Sequence, residues 1–223
     1  MTASSESLFE QFCAANALSC SRVPTADASG EQRPDYYVTG PGSRPFFAEI
    51  KEITPNPAEA DQIRRVLAGE ILAMSGTPGA RARELIAKAN PQLRAVTKGV
   101  VPGVLVIFNT EFLLHHHTDP YAILTAMRGL DVVPVLVPTD ARKSPIFQDV
   151  RSGPKKRMTP QANTSISAIV LPCRTRDAQW QADVYHNRYA ACALPPESLL
   201  GDSIRHWGIR EDERDWERLH AAV

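Results

Sequence analysis

Residues 34–53 constrain the fold of this chain more tightly than any other stretch. Tyr36-Tyr37-Val38-Thr39 is aromatic and β-branched, Gly40-Pro41-Gly42-Ser43 is turn punctuation, and Pro45 to Ile53 reads as a second strand. The two runs are expected to fold back on each other as a hairpin. Side chains alternate along a strand, so Phe47, Glu49, Lys51 and Ile53 share one face while Ala48 and Ile50 share the other. Asp35, which follows Pro34 at the mouth of the first strand, then falls opposite Glu49. The hairpin gathers two carboxylates and one ammonium at a single spot. Two carboxylates this close repel unless a cation lies between them, and hard oxygen ligands suit Mg²⁺ or Mn²⁺. Lys51 beside them can hold an attacking water or neutralise charge on a phosphate. Without a metal, the same residues make a surface hairpin with solvated charges.

The remainder of the sequence reads as an α/β domain with a mixed central sheet flanked by helices, one domain spanning residues 1–223. Ser5 caps a first helix whose apolar face carries Leu8, Phe9, Phe12 and Cys13. Residues Arg22 to Arg33, with Pro24, Asp27, Ser29 and Gly30, form a polar loop into the hairpin. Ile63, Val66, Leu67, Ile71 and Met74 recur at helical spacing and predict a helix over Ala58 to Met74. A further helix starts near Ala80 and either kinks or restarts at Asn90-Pro91 before reaching Lys98. Val104 to Phe108 is a continuous apolar run, the signature of a strand buried on both faces. Tyr121 to Arg128 is a predicted helix, and Val132 to Val137, Ser167 to Leu171 and Asp183 to Tyr185 are predicted strands.

Pro34-Asp35 followed by Glu49-Ile50-Lys51, then a helix and a buried strand, resembles the PD-(D/E)XK nuclease superfamily, whose fold is that of the restriction endonucleases. The resemblance implies a restriction endonuclease-like core and a metal-dependent nuclease, endonuclease or exonuclease, using Mg²⁺ or Mn²⁺. It implies Asp35 and Glu49 as metal ligands, the Ile50 carbonyl as a further ligand, and Lys51 as the residue that orients or activates water. It also implies an acidic residue from the first helix near the metal, for which Glu10 is the candidate and Glu6 the rival one turn earlier. Gln92, on the helix after the Glu-Ile-Lys strand, is the corresponding outer catalytic candidate. A homodimer is suggested by the same analogy. The alternative reading keeps the fold and drops the catalysis, leaving a binding or regulatory module.

The formal net charge is zero, so any nucleic-acid partner, DNA being the expected one, must be held by local asymmetry. Arg81, Arg83, Lys88, Arg94 and Lys98 cluster with only Glu84 among them, and Arg151, Lys155, Lys156 and Arg157 form a second basic stretch. Arg81, Lys88, Arg94, Lys98, Lys155 and Lys156 are the candidate backbone contacts. Compensating acid lies in Glu211-Asp212-Glu213. The other reading of these charges is a set of solvated helix and loop faces.

Other chemistries are disfavoured. Cys13, Cys20, Cys173 and Cys192 lack Cys-x-x-Cys spacing and are expected as buried thiols. His115-His116-His117 would point to alternate faces of an extended segment with no accompanying ligand cluster. Gly76-Thr77-Pro78-Gly79 lacks the Gly-Lys-Ser/Thr of a phosphate-binding loop, and no Gly-x-Ser-x-Gly elbow occurs. No apolar run is long enough to cross a bilayer and the first residues do not resemble a secretory signal, so a cytoplasmic location is expected.

Overall fold

The computed structural model describes residues 4–24, 32–41, 44–72, 76–140, 142–149, 151–211 and 215–220. Gly42 and Ser43 of the predicted turn, Asp27, Ser29 and Gly30 of the predicted loop, Met74, Asp212, Glu213 and the Arg151 side chain lie outside that description.

The chain forms α1 (Ser5–Ala15), β1 (Ser19–Arg22), β2 (Tyr36–Thr39), β3 (Phe46–Glu52), α2 (Pro57–Leu67), α3 (Ala80–Thr97) and β4 (Gly103–Phe108). A 3₁₀ turn (Phe112–His117) and α4 (Pro120–Arg128) follow, then the two-residue strands β5 (Asp131–Val132), β6 (Val135–Leu136), β7 (Ile146–Phe147) and β8 (Arg151–Ser152). The last elements are β9 (Ala168–Arg174), β10 (Trp180–His186), a short 3₁₀ turn (Pro196–Ser198), β11 (Ile204–Ile209) and β12 (Trp216–Leu219). One mixed sheet of eight strands runs in the order β1-β2-β3-β4-β9-β10-β11-β12, so the expected α/β architecture with a mixed sheet and flanking helices is present.

β3 pairs antiparallel with β2 and parallel with β4, placing it near one end of the sheet with a hairpin on one side and a buried strand on the other. Its alternation holds as the period-2 pattern requires. Phe46, Ala48 and Ile50 join a core under α1 that includes Phe9, Phe12, Tyr36 and Trp180. Ile53, with Phe47 packed beside it, joins the core under α3 and α4, with Ile86, Leu93, Leu105 and Ile123. β4 is buried along its whole length, as its apolar run predicts.

Several expectations are corrected. The cap of α1 is Ser4 rather than Ser5, its hydroxyl accepting from the Ser7 amide at 3.3 Å. α2 stops at Leu67 and Ile71 is 100% exposed; of this apolar stripe, Ile63 alone packs on the core among the described residues. α3 runs unbroken through Pro91. The proline ring sits on the exposed side of the helix, where water can satisfy the Ala87 carbonyl that loses its donor. Val132 to Val137 is not a core strand: β5 and β6 pair with β8 and β7 in two small ribbons outside the main sheet, and Val135, Leu136 and Val137 are exposed. The three histidines lie on a 3₁₀ turn, where His117 bonds Glu59 at 3.0 Å and His116 the Leu113 carbonyl at 3.2 Å. Of the cysteines, Cys13 and Cys192 are buried, Cys20 is half-buried and Cys173 is exposed. Among the described residues no helix is long and apolar enough to cross a membrane.

Candidate metal-binding cavity

The site arises where the β2–β3 ladder runs out. The last pair is Tyr36 with Ala48, and Pro34 has no N–H with which to continue. The next outward-facing amide on β3, that of Ile50, would be left without a partner, and a buried amide rarely stays so. Asp35 resolves this by turning its side chain across the gap, so that Oδ2 accepts the Ile50 N–H at 2.7 Å. In an extended residue the N–H and C=O point to the same side of the strand. The Ile50 carbonyl therefore faces the Asp35 side of β3, while Phe47 and Ile53 amides bond toward β4.

Glu49 and Lys51 point to the opposite face of the strand from Ile50, toward α3. Glu49 has 0% exposure and its Oε1 is paired directly with the Lys51 ammonium. Its Oε2 is buried and makes no hydrogen bond of good geometry, with the Gln92 amide near enough to favour its charged form, a state that costs roughly 1–3 kcal/mol. Burial pushes the Glu49 carboxyl up to about 7, against the pull of Lys51; the Asp35 charge adds to the rise and the Gln92 amide opposes it. Glu49 thus stands at the boundary between a neutral acid and a charged ligand.

Asp35 and Lys51, but not the fully buried Glu49, line a cavity of about 880 Å³ together with Lys88, Pro91, Gln92, Glu6 and Arg22. α3 supplies Lys88 and Gln92 one turn apart, and the Gln92 amide approaches the Arg33 carbonyl at 3.5 Å. Glu10 is placed differently from the expectation. Its Oε1 accepts the Tyr36 hydroxyl at 2.7 Å and Arg22 at 3.1 Å, and these bonds, Tyr36 foremost, hold its carboxyl below the usual range. The helix-1 carboxylate that lines the cavity is Glu6, 3.0 Å from Arg22. Arg22 clamps both acids, a role that the polar composition around it did not signal.

The basic candidates divide. Lys88 lines this cavity, and Arg94 and Lys98 line a second cavity further along α3. Arg81 donates to the Thr54 carbonyl at 2.6 Å. Lys156 lines a small pocket of about 80 Å³ with Arg128 and Arg188 near the end of α4, and Lys155 sits beside it in a left-handed backbone conformation. Neither Lys155 nor Lys156 lines the main cavity.

The oxygens available to a hard cation are those of Asp35, Glu49 and the Ile50 carbonyl. Among the described residues no group of three or more His, Cys, Asp or Glu side chains converges to hold a metal. A cation here would complete its shell with water and substrate oxygens, as Mg²⁺ commonly does with one or two protein carboxylates. The unpartnered Oε2 of Glu49 is the feature that fits such a group best. Compared with known proteins, the chain matches no family model, no curated protein and no solved structure.

Proposed function

We propose that the protein is a metal-dependent nuclease, with a PD-(D/E)XK-type site and a restriction endonuclease-like core, that hydrolyses phosphodiester bonds of nucleic acid, DNA being the expected substrate. The observation that carries this reading is the juxtaposition of Asp35 and Lys51 at one cavity, with Glu49 buried against Lys51 and one of its carboxylate oxygens left unpartnered. The element order α1, β1–β3, helix, buried parallel β4 supports it.

Asp35, Glu49 and the Ile50 carbonyl would hold Mg²⁺ or Mn²⁺. When bound, the metal supplies Lewis-acid polarisation of a phosphoryl oxygen and acidifies a coordinated water. The chain's own groups do the rest. Lys51 orients the attacking water and neutralises charge developing on the phosphate. Ile50 N–H fixes the Asp35 carboxylate, leaving its other oxygen for the cavity. Gln92 contributes an amide at the rim, and Lys88 adds a cation that draws the anionic backbone in.

The test is calorimetric titration with Mn²⁺ of wild type and Asp35→Ala, followed by cleavage assays on DNA and RNA. Binding lost in the variant, with metal-dependent cleavage by wild type alone, is the expected result. Cleavage that survives both Asp35→Ala and Lys51→Ala overturns the assignment. The second reading, a catalytically silent binding module of the same fold, is favoured by the direct Lys51–Glu49 pair and by the lack, among the described residues, of a third convergent carboxylate. It predicts no Mn²⁺ binding, with or without nucleic acid present.

A further inference from the structure

We propose that the C-terminal end of α3 carries a separate phosphate-binding site, in the cavity of about 450 Å³ between that helix and the loop at residues 161–165, which holds a backbone phosphate of the strand entering the first cavity. The identity of the strand rests on the nuclease reading; the anion site itself does not.

Arg94 on the last turn of α3 and Lys98 at its C-cap line the same cavity, both are exposed, and neither is ion-paired with a described residue. Among the described residues that line this cavity there is no carboxylate. Whereas the first cavity carries the carboxylates of Glu6 and Asp35, the described lining of this one thus has two cations and no acid. Thr97 lies in its wall at 1% exposure, and its hydroxyl has no hydrogen-bond partner. The Thr97 methyl is the branch that packs on the sheet, since a Cβ added at Gly103 would come within 3.1 Å of it. The hydroxyl is left on the other branch. A buried, unpaired hydroxyl is costly unless something is meant to meet it.

The opposing wall is built rather than loose. The Ser165 hydroxyl donates to the Asn90 side chain at 2.6 Å, the Ala191 amide to the Thr164 carbonyl at 2.8 Å, and the buried Asn187 amide to the Ile166 carbonyl at 2.8 Å. Thr164 and Asn163 are thereby held against the cavity. α3 ends in two left-handed residues, Lys98 and Gly99, which turn the chain away and keep Lys98 at the rim. Lys88 and Gln92 serve the first cavity, and Arg94 and Lys98, six residues further on, serve the second. That is about 9 Å along the helix axis and about a third of a turn around it, so a strand gripped at both cavities passes around the helix over several nucleotides. A metal-loaded first cavity and a metal-free second one would grip one strand at two phosphates.

The experiment uses the full chain in excess EDTA, so that no metal contributes. Inorganic phosphate, a mononucleotide and a fluorescent single-stranded oligonucleotide are titrated separately, with backbone amide shifts and anisotropy as readouts. Phosphate is expected to shift the Thr97, Lys98 and Thr164 amides. The oligonucleotide is expected to lose about tenfold in affinity in the Arg94→Gln/Lys98→Gln variant, with the salt slope reduced by roughly 1.4 for two lost contacts. Thr97→Val should weaken phosphate binding while Thr97→Ser, which keeps the hydroxyl, restores it. Unchanged oligonucleotide affinity in the double variant overturns the proposal, as do phosphate shifts confined to other residues. Mononucleotide binding that is no weaker than oligonucleotide binding overturns the strand assignment and assigns the site to a free nucleotide. Failure of the nuclease reading is told apart by Mn²⁺: no Mn²⁺ binding, with EDTA-resistant oligonucleotide binding lost in the double variant, removes the metal site and upholds the anion site.

Discussion

Two clusters of buried ionisable groups sit on the same sheet, and they are built on opposite principles. On β10 and β11, His186 and His206 lie side by side with ring nitrogens 2.8 Å apart. His206 Nε2 meets the Leu199 carbonyl at 2.9 Å, so that nitrogen carries the proton, and Nδ1 of His206 accepts from Nε2 of His186. The chain of bonds ends on a backbone acceptor and both rings are held neutral; burial, with the neighbouring ring, pushes His186 down to about 4. On β3, Glu49 is more deeply buried and one of its oxygens meets nothing, while its partner Lys51 lines the large cavity. Burial of a titratable group therefore does not mark a site by itself. The His pair satisfies its own hydrogen bonds and serves the fold, whereas Glu49 keeps an unmet requirement beside Lys51, which lines the cavity.

The sharpest break between the two clusters comes from removing charge at the cavity. Lys51→Ala is expected to lower metal-dependent cleavage by about 10²–10⁴-fold, measured as single-turnover rate. Glu49→Gln is expected to weaken Mn²⁺ binding more than about 100-fold while leaving the melting temperature equal or higher, since a buried, half-satisfied acid is replaced by a neutral amide. His206→Ala should do the reverse. It leaves the Leu199 carbonyl and the His186 N–H unpaired, at a cost of about 1–3 kcal/mol in urea unfolding, with Mn²⁺ affinity unchanged. A His206 variant that loses metal binding would break the division between the two regions.

Smaller effects follow from pH. Glu49 titrates at about 7 in the folded chain and near 4.5 when unfolded, so the fold holds the proton more tightly. Its contribution is fully present below about pH 4.5 and is lost as pH rises to about 7, amounting to roughly 2–3 kcal/mol. His186 has the opposite sign: its folded value is depressed, so its contribution is present above about 6.5 and is lost as pH falls toward 4. The two slopes oppose each other between pH 4.5 and 6.5. Metal-free wild type should show a nearly level stability there, and Glu49→Gln should show stability that rises with pH, read from chemical unfolding at half-unit steps. The smallest effect concerns the metal itself. Binding must displace the Glu49 proton, so Mn²⁺ affinity should rise by up to about tenfold per unit between pH 6 and 7 and level off above, with proton release measured in buffers of different ionisation enthalpy.

The hairpin strand, the long helix over Ala80–Thr97 and the buried run at Gly103–Phe108 were legible from residue pattern, because alternation, helical spacing and a continuous apolar stretch are local properties. The edge strands were not. Ser19–Arg22 is polar and carries no alternation, and it is a strand only because Tyr36–Thr39 offers it a ladder. Ile204–Ile209 and Trp216–Leu219 are recruited in the same way to β10 and to each other. Val132–Val137 misled for the converse reason: its residues suit a core strand, yet no layer of the fold reaches them. Glu10 was the reasonable choice on helix α1, but Tyr36 and Arg22, distant in sequence, take its carboxylate and leave Glu6 at the cavity.

What the sequence by itself determined was the side-chain facing on β3, with Glu49 and Lys51 together and Ile50 opposed, since a pleated strand leaves no other arrangement. What only the tertiary structure decided was the state of those groups. The burial of Glu49 depends on α3 lying over it, the orientation of Asp35 on a ladder that ends at Pro34, and the cavity on α1 and α3 standing apart across the hairpin. Desolvation and hydrogen-bond satisfaction are set by whatever segments arrive from elsewhere in the chain, and these two quantities separate a solvated charge from a chemical site.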